Sequence, residues 1–221
     1  MLLLALDTAG PVVTVAVHDG DHVIGTASGE GAMAHGELLA PAIGDALAQA
    51  GRTARDLTDV AVGVGPGPFT GLRVGVVTAL SLASTLGLAT HGVCSLDAVA
   101  PGRSGEYLVA TDARRKEVYW AHYADGRRLD GPHVDKPADV AARHPGLPVV
   151  GRGVALYPDL LMGETHSVDG QSLDPSASAL AEIVVDGRAE LLPLEPLYLR
   201  RPDAKPAAPL VVPGQAPSLA E

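Results

Sequence analysis

The sequence predicts an α/β protein of two lobes, the second of them reduced. Three features carry that expectation. Short β-branched runs near the start flank a hairpin turn at Asp19 and Gly20. Two helix-length stretches of Leu, Ala, Gly and Ser alternate with Val-rich runs. Pro101, Gly102, Ser104 and Gly105 then interrupt the chain before a second set of elements begins.

Residues 2–6, an apolar run, and residues 12–18 and 22–27, which are rich in Val, Ile and Thr, read as three strands. Residues 38–50 place Leu38, Leu39, Ala42, Ile43, Ala46, Leu47 and Ala50 on one helical face, with Asp45 and Gln49 off it. Residues 59–64 read as a buried strand, and a long helix begins at Phe69. A short strand at 90–93 and a helix at 95–100, capped by Ser95, complete a βββαβαβα order in a first lobe of residues 1–102. A second lobe, residues 103–192, opens with a strand at 107–111 and a β-ribbon through 117–123, followed by helices near 137–143, 154–161 and 176–185. Residues 193–221 hold seven prolines and read as a tail, disordered beyond Asp203.

The junction at residues 65–75, GPGPFTGLRVG, concentrates four glycines, two prolines and an Arg between a strand and a helix. A helix amino terminus after a Gly-rich turn favours anions, which makes Gly67 and Thr70 candidate phosphate contacts. Neither GxxxxGK[ST] nor GxGxxG is present, however, and Pro66 and Pro68 each delete an amide donor. A rigid turn that aims the chain into the helix is the better reading. Along that helix Gly71, Gly75, Ala79, Ala83 and Gly87 recur every four residues, a groove of small side chains that admits close approach of another element. That element is either the chain's own sheet or a partner. We take it as an association face made of Leu38, Leu39, Ala42, Ile43 and Ala46 on the first helix and Phe69, Gly71, Leu72, Gly75, Thr78, Ala79 and Leu82 on the second.

Composition narrows the function classes. The chain has 221 residues, 47% hydrophobic but only 3% aromatic, so its core is built of Ala, Val and Leu. A formal net charge of −10, with Arg114, Arg115 and Lys116 as the one basic cluster, argues against this chain alone gripping a nucleic acid. The single cysteine, Cys94, excludes an internal disulfide and reads as a buried thiol. The opening MLLLALDTAG lacks the form of a secretory signal, and residues 74–96, although uncharged, are too often interrupted by Gly, Ser and Thr to span a bilayer.

LALDTAG within a three-stranded opening resembles the actin, Hsp70 and sugar kinase superfamily, whose members are built from two ribonuclease H-like lobes. Together MLLLALDTAGPVVTVAV, GPGPFTGLRVGVVTALSLAS, SLDAVA, DARRKEVYWA and PLYLRRPDA resemble the TsaB (YeaZ) family over residues 1–203. The resemblance implies a cytoplasmic subunit needed for N6-threonylcarbamoylation of adenosine 37 in tRNAs that read ANN codons. It implies a non-catalytic paralogue of the transferase TsaD that pairs with TsaD, works with the ATPase TsaE and forms a homodimer when TsaD is absent. It also implies tRNA contact only through the complex, with ATP or ADP and a metal held by partner subunits.

The residues agree with a chain that carries no catalytic group. Asp7, Thr8, Ala9 and Gly10 resemble the first phosphate loop of an actin-like site, yet Ala9 stands where backbone must approach phosphate closely. Asp112, Ala113, Arg114 and Arg115 replace the second loop's glycines with bulky side chains. Asp7, Thr8, Gly67 and Thr70 are therefore a vestigial nucleotide site at most. No helix offers histidines four apart; His18 and His22 have that spacing but flank the hairpin, where solvation is expected. No GxSxG elbow surrounds Ser28, Ser81 or Ser95. Two enzyme readings compete with the scaffold: an ATP-dependent phosphotransferase in which Asp7 holds magnesium through water, and a peptidase of unrecognised geometry.

The carboxyl-terminal stretch separates into two parts. Truncation after Ala204 should leave the melting temperature unchanged, because residues 205–221 have little apolar bulk to bury. Truncation after Pro196 removes Leu197, Tyr198, Leu199, Arg200 and Arg201 and should lower it; thermal melts that coincide would show the domain to end near Leu192.

Overall fold

The protein is described by a computed structural model that covers residues 1–30, 35–163 and 173–200. The first sheet is built on strands β1 (Leu3–Asp7), β2 (Val12–His18) and β3 (Val23–Glu30), an antiparallel meander. Strands β4 (Asp59–Gly65) and β5 (Ala89–Cys94) add in parallel on the other side of β1. Helices α1 (His35–Gln49) and α2 (Phe69–Leu86) are the crossovers. Alternation decides which residues face them: Leu4, Leu6, Val15, Val17, Val60 and Val62 point to the α1 and α2 side. Leu3, Ala5, Ala16 and Ala61 point the other way.

The second sheet is β6 (Glu106–Asp112), β7 (Val118–Ala124), β8 (Arg127–Asp135) and β9 (Val149–Val150), in the order β8-β7-β6-β9. Helices α3 (Pro137–Arg143) and α4 (Arg152–Leu156) cover one face through Val140 and Val154. The opposite face, with Tyr107, Val109, Ala121 and Tyr123, packs on Cys94, Leu96, Val99 and Ala100 of the first lobe. The two lobes thus share a core rather than meeting across a linker.

Several expectations need correction. Helix α5 (Ala177–Val185), capped by Ser176, does not cover the second sheet. It covers the open face of the first, with Ala177, Leu180, Ala181 and Ile183 packed on Leu3, Ala5 and Ala61. Strand β10 (Leu191–Leu192) then pairs with β5, so residues 177–192 belong to the first sheet and not to the second lobe. Ser95 caps nothing: residues 95–98 form a 3₁₀ turn whose cap position is Cys94. Strand β8 is absent from the sequence expectation because RRLDGPHVD is polar and contains Pro, and its pairing with β7 alone makes it a strand. The helix expected at 154–161 is confined to Arg152–Leu156. His18 is buried, its Nδ1 accepting the Gly20 amide at 3.0 Å, whereas His22 is exposed.

Residues 193–200 are a strap and not a free tail. Leu194 and Leu197 pack into the core under α1 and α2, Leu199 packs into the shared core, and the Leu197 amide donates to the Val64 carbonyl at 2.8 Å. The disorder expected beyond Asp203 lies outside the described residues.

Two helical glycines should respond oppositely to alanine. A Cβ on Gly71 would collide with the Thr8 carbonyl, whereas one on Gly44 would meet nothing within 4 Å. Urea melts should therefore show Gly71→Ala destabilised by about 1–3 kcal/mol and Gly44→Ala stabilised by about 0.5–1 kcal/mol.

Candidate functional site

Strand β1 ends at Asp7, beside the turn that leads from β4 into α2. The Asp7 carboxylate is fully buried. Its Oδ1 accepts the Ala9 amide at 2.7 Å, and its Oδ2 accepts the Ser95 hydroxyl at 2.6 Å. Ser95 Oγ in turn accepts the Gly65 amide at 3.2 Å. Gly63 lies against the same carboxylate, where any Cβ would collide with it. Burial pushes the Asp7 carboxyl up to about 6, although the Ser95 and Ala9 hydrogen bonds hold it back. Thr8, also fully buried, donates its hydroxyl to the Gly71 carbonyl in the first turn of α2 at 2.8 Å.

The cleft between the lobes has a volume of about 270 Å³. Ala9, Gly10, His35, Pro66 and Pro68 line it from one side; Thr111, Asp112, Arg114, Arg152 and Asp174 line the rest. Of the four nucleotide candidates none lines this cleft: Asp7 and Thr8 are spent on internal hydrogen bonds, Gly67 packs on Ala9, and Thr70 lies on the exposed side of α2. The cations that do reach it are paired. Arg152 Nε lies 2.7 Å from Asp174 Oδ1, and Arg114 Nη1 lies 3.2 Å from Asp112 Oδ2. Two carboxylates and two prolines where amide donors are needed do not fit a nucleotide phosphate.

Other chemistries find little purchase. Among the described residues no group of three or more His, Cys, Asp or Glu is arranged to hold a metal ion. Ser95 is fully buried, and its proton goes to Asp7 and not to a histidine. The Cys94 thiol is buried and pushed up to about 12, chiefly by that burial, so it stays protonated at neutral pH.

The association face divides along α2. Gly71, Leu72, Gly75 and Ala79 are buried against the chain's own sheet, and Gly75 lies against Thr8 and Val62. On α1, Leu39, Ala42 and Ala46 are buried in the same core. Those seven are corrected from partner contacts to core residues, because the small side chains serve the close approach of helix to strand. Leu38, Ile43, Phe69, Thr78 and Leu82 are half-buried. Phe69 is stacked on Tyr198 with ring centroids 4.8 Å apart; the Arg73 guanidinium sits 4.0 Å over the Phe69 ring, and its Nε donates to the Tyr198 hydroxyl at 3.0 Å.

The residues that face outward were missed. Val77 is 58% exposed and Leu80 45%. Val77 lies roughly 200° around the helix from Gly75, so the side opposite the glycine repeat was the readable signal. By length and composition α2 is also apolar enough to cross a membrane, but its glycine face is packed on β1 and β4.

A family model described as TsaD, tRNA N6-adenosine threonylcarbamoyltransferase, matches residues 25–188. A protein of Mycobacterium tuberculosis, described as uncharacterized, is 44% identical over 211 residues, covering 93% of this chain and 95% of that one. The tRNA threonylcarbamoyladenosine biosynthesis protein TsaB of Escherichia coli is 33% identical over 224 residues, covering 90% of this chain and 95% of its own. Among solved structures, YeaZ from Pseudomonas aeruginosa superposes with a TM-score of 0.71 at 27% identity, covering 90% of this chain and 99% of that one.

The raised Asp7 carboxyl makes stability fall with pH. The native state keeps the proton up to about pH 6, whereas the unfolded chain releases it near 3.8, so native stability declines between those values and stays lower above them. Asp7→Asn carries no charge to bury. The stability of Asp7→Asn relative to wild type should therefore improve by something on the order of 3 kcal/mol between pH 4 and pH 7.5, as read from urea melts; a difference independent of pH would place the charge in a solvated setting.

Proposed function

The chain belongs to the TsaB (YeaZ) family, and from that premise we propose that it is the partner-binding, non-catalytic subunit of a tRNA-modifying assembly. The modification is threonylcarbamoyladenosine formation, the process for which its Escherichia coli relative is named. In this reading the transferase TsaD is the partner that carries the chemistry, the ATPase TsaE acts with the pair, and two copies of this chain associate when TsaD is missing. The work is cytoplasmic, and tRNA is met as part of the complex.

One observation carries the reading. Helix α2 is fixed to the sheet by its glycine face, which leaves Val77 and Leu80 displayed on a surface that the described residues do not cover. Large apolar side chains held outward on a rigid helix favour burial against another protein. The internal bonding of Asp7 supports the second half of the proposal, since a carboxylate locked to Ser95 and the Ala9 amide is not available to a substrate. Approach of a partner to α2 also brings it to Arg73, and through it to Phe69 and Tyr198.

Modification of unmodified tRNA in a reconstituted reaction with TsaD and TsaE should depend on adding this chain. Val77→Asp with Leu80→Asp should keep the wild-type circular dichroism spectrum and melting temperature, because both side chains are already in water. The same double variant should lose co-elution with TsaD by at least tenfold in affinity, or about 1.4 kcal/mol, and should lose support of modification with it. Wild-type co-elution by the folded variant would move the association face elsewhere, and modification at full rate without the chain would refute the function.

A further inference from the structure

The hairpin that joins β6 to β7 is cationic where its backbone favours something smaller. Arg114, Arg115 and Lys116 have φ of 59°, 54° and 61°. Three successive residues thus occupy the left-handed region, which Gly and Asn enter at least cost. The tip is nevertheless closed. The Arg114 amide donates to Asp112 Oδ1 at 2.7 Å, the Glu117 amide to the Arg114 carbonyl at 3.0 Å, and the Ala113 amide to the Glu117 carbonyl at 3.1 Å. All three basic residues are exposed. The Arg114 guanidinium lies 3.2 Å from Asp112 within the hairpin, yet a run of three non-glycine residues in the left-handed region is an outlier of the kind that points toward a use outside the fold.

Their surroundings extend the charge. A shallow groove of about 160 Å³ runs from Arg114 and Arg115 past Tyr119 and Tyr198 to Arg200. Arg73 reaches the same place through the Tyr198 hydroxyl at 3.0 Å. Among these cations Arg114 is paired with Asp112 and Arg200 with Glu117. Among the described residues that border the groove and the hairpin, cations outnumber carboxylates, on a chain whose net charge is −10.

We propose that Arg114, Arg115 and Lys116, with Arg73 and Arg200 beside them, hold the sugar-phosphate backbone of the RNA that the assembly modifies. The inference rests on the reading above that the chain works in tRNA modification, and it names the surface by which this subunit reaches the substrate. Cations spread along an exposed hairpin and an open groove suit phosphates spaced along a backbone, whereas a free nucleotide is better served by an enclosed cradle of amides. The acidity of the rest of the chain explains why the patch acts inside the complex: alone it is too few charges against general repulsion.

The test is tRNA binding by the reconstituted complex of this chain with TsaD, read by fluorescence anisotropy from 50 to 300 mM salt. The triple variant Arg114→Asn, Arg115→Asn and Lys116→Asn suits the left-handed backbone and should co-elute with TsaD as wild type does. Its tRNA affinity should fall about tenfold at 100 mM salt, and the slope of log affinity against log salt should flatten by about two to three, one for each phosphate no longer neutralised. Lys116→Asn alone should cost about two- to threefold and decides the matter if the triple variant does not fold. Arg52→Gln with Arg55→Gln, exposed cations on the loop after α1, should change nothing. tRNA affinity and salt slope equal to wild type in the hairpin variants would overturn the proposal, as would an equal loss in the Arg52 and Arg55 control. Loss of ATP binding with tRNA affinity intact would also overturn it and make the patch a nucleotide site. A wild-type complex that binds tRNA through the hairpin but does not modify it would refute the function and leave this surface standing.

Discussion

The close contact between the end of β1 and the first two turns of α2 is the constraint on which the rest of the molecule depends. Gly71 and Gly75 have no side chain, so the helix settles onto Thr8, and the Thr8 hydroxyl is received by the Gly71 carbonyl at 2.8 Å. Gly67 packs on Ala9 in the same way. With the helix held there, the turn from Gly65 to Pro68 closes over Asp7, and the carboxylate completes its bonds to Ala9 and Ser95. A methyl group at any of these glycines would lift the helix and undo the arrangement behind it.

What that contact gives up is a ligand site. A strand end, a Gly-rich turn and a helix amino terminus are the usual parts of an anion cradle, and here the groups that would face a ligand face the protein. The inter-lobe surface is likewise filled by protein. Arg128 spans it, bonded to Asp97 at 2.9 Å, to the Gly131 carbonyl at 2.8 Å and to Glu190 at 2.8 Å, while the Tyr123 hydroxyl donates to Asp97 at 2.6 Å. Removing one partner from such a partly buried, multiply bonded ion pair leaves a poorly solvated charge behind and is destabilising. The strap over residues 193–200 adds to it, tying the turn at Val64 to the second lobe through Arg200 and the Ala113 carbonyl at 2.7 Å. Under the proposed function, what serves a partner or an RNA is the outward side of α2 and the basic hairpin.

Those surfaces lie close together. Arg73 belongs to the outward side of α2 and also to the stack with Phe69 and Tyr198 that borders the basic hairpin. A partner on Val77 and Leu80 and an RNA backbone on Arg114 to Lys116 would flank the same strap. Within residues 196–200, PLYLR, Tyr198 and Arg200 both border that groove.

The sequence by itself determined the elements and the places where backbone must approach backbone. Apolar and β-branched runs marked β1, β2 and β4, and the Gly71, Gly75 and Ala79 repeat marked a tight contact on α2, because composition, period and side-chain size are local properties. The acidic charge and the lone buried thiol were legible for the same reason. Only the tertiary structure decided what each face meets. The small-residue stripe was read as a partner's groove and proved to be the seat for β1, since a period names a face but not its neighbour. Residues 177–192 returned to the first sheet because Leu180 and Ile183 found Leu3 and Ala5 uncovered there, a long-range match that no window of sequence contains. Strand β8 exists through pairing with β7, and Asp7 meets Ser95 across 88 positions of chain. Hydrogen bonds and packing between residues so far apart are set by topology, and topology is a property of the whole chain.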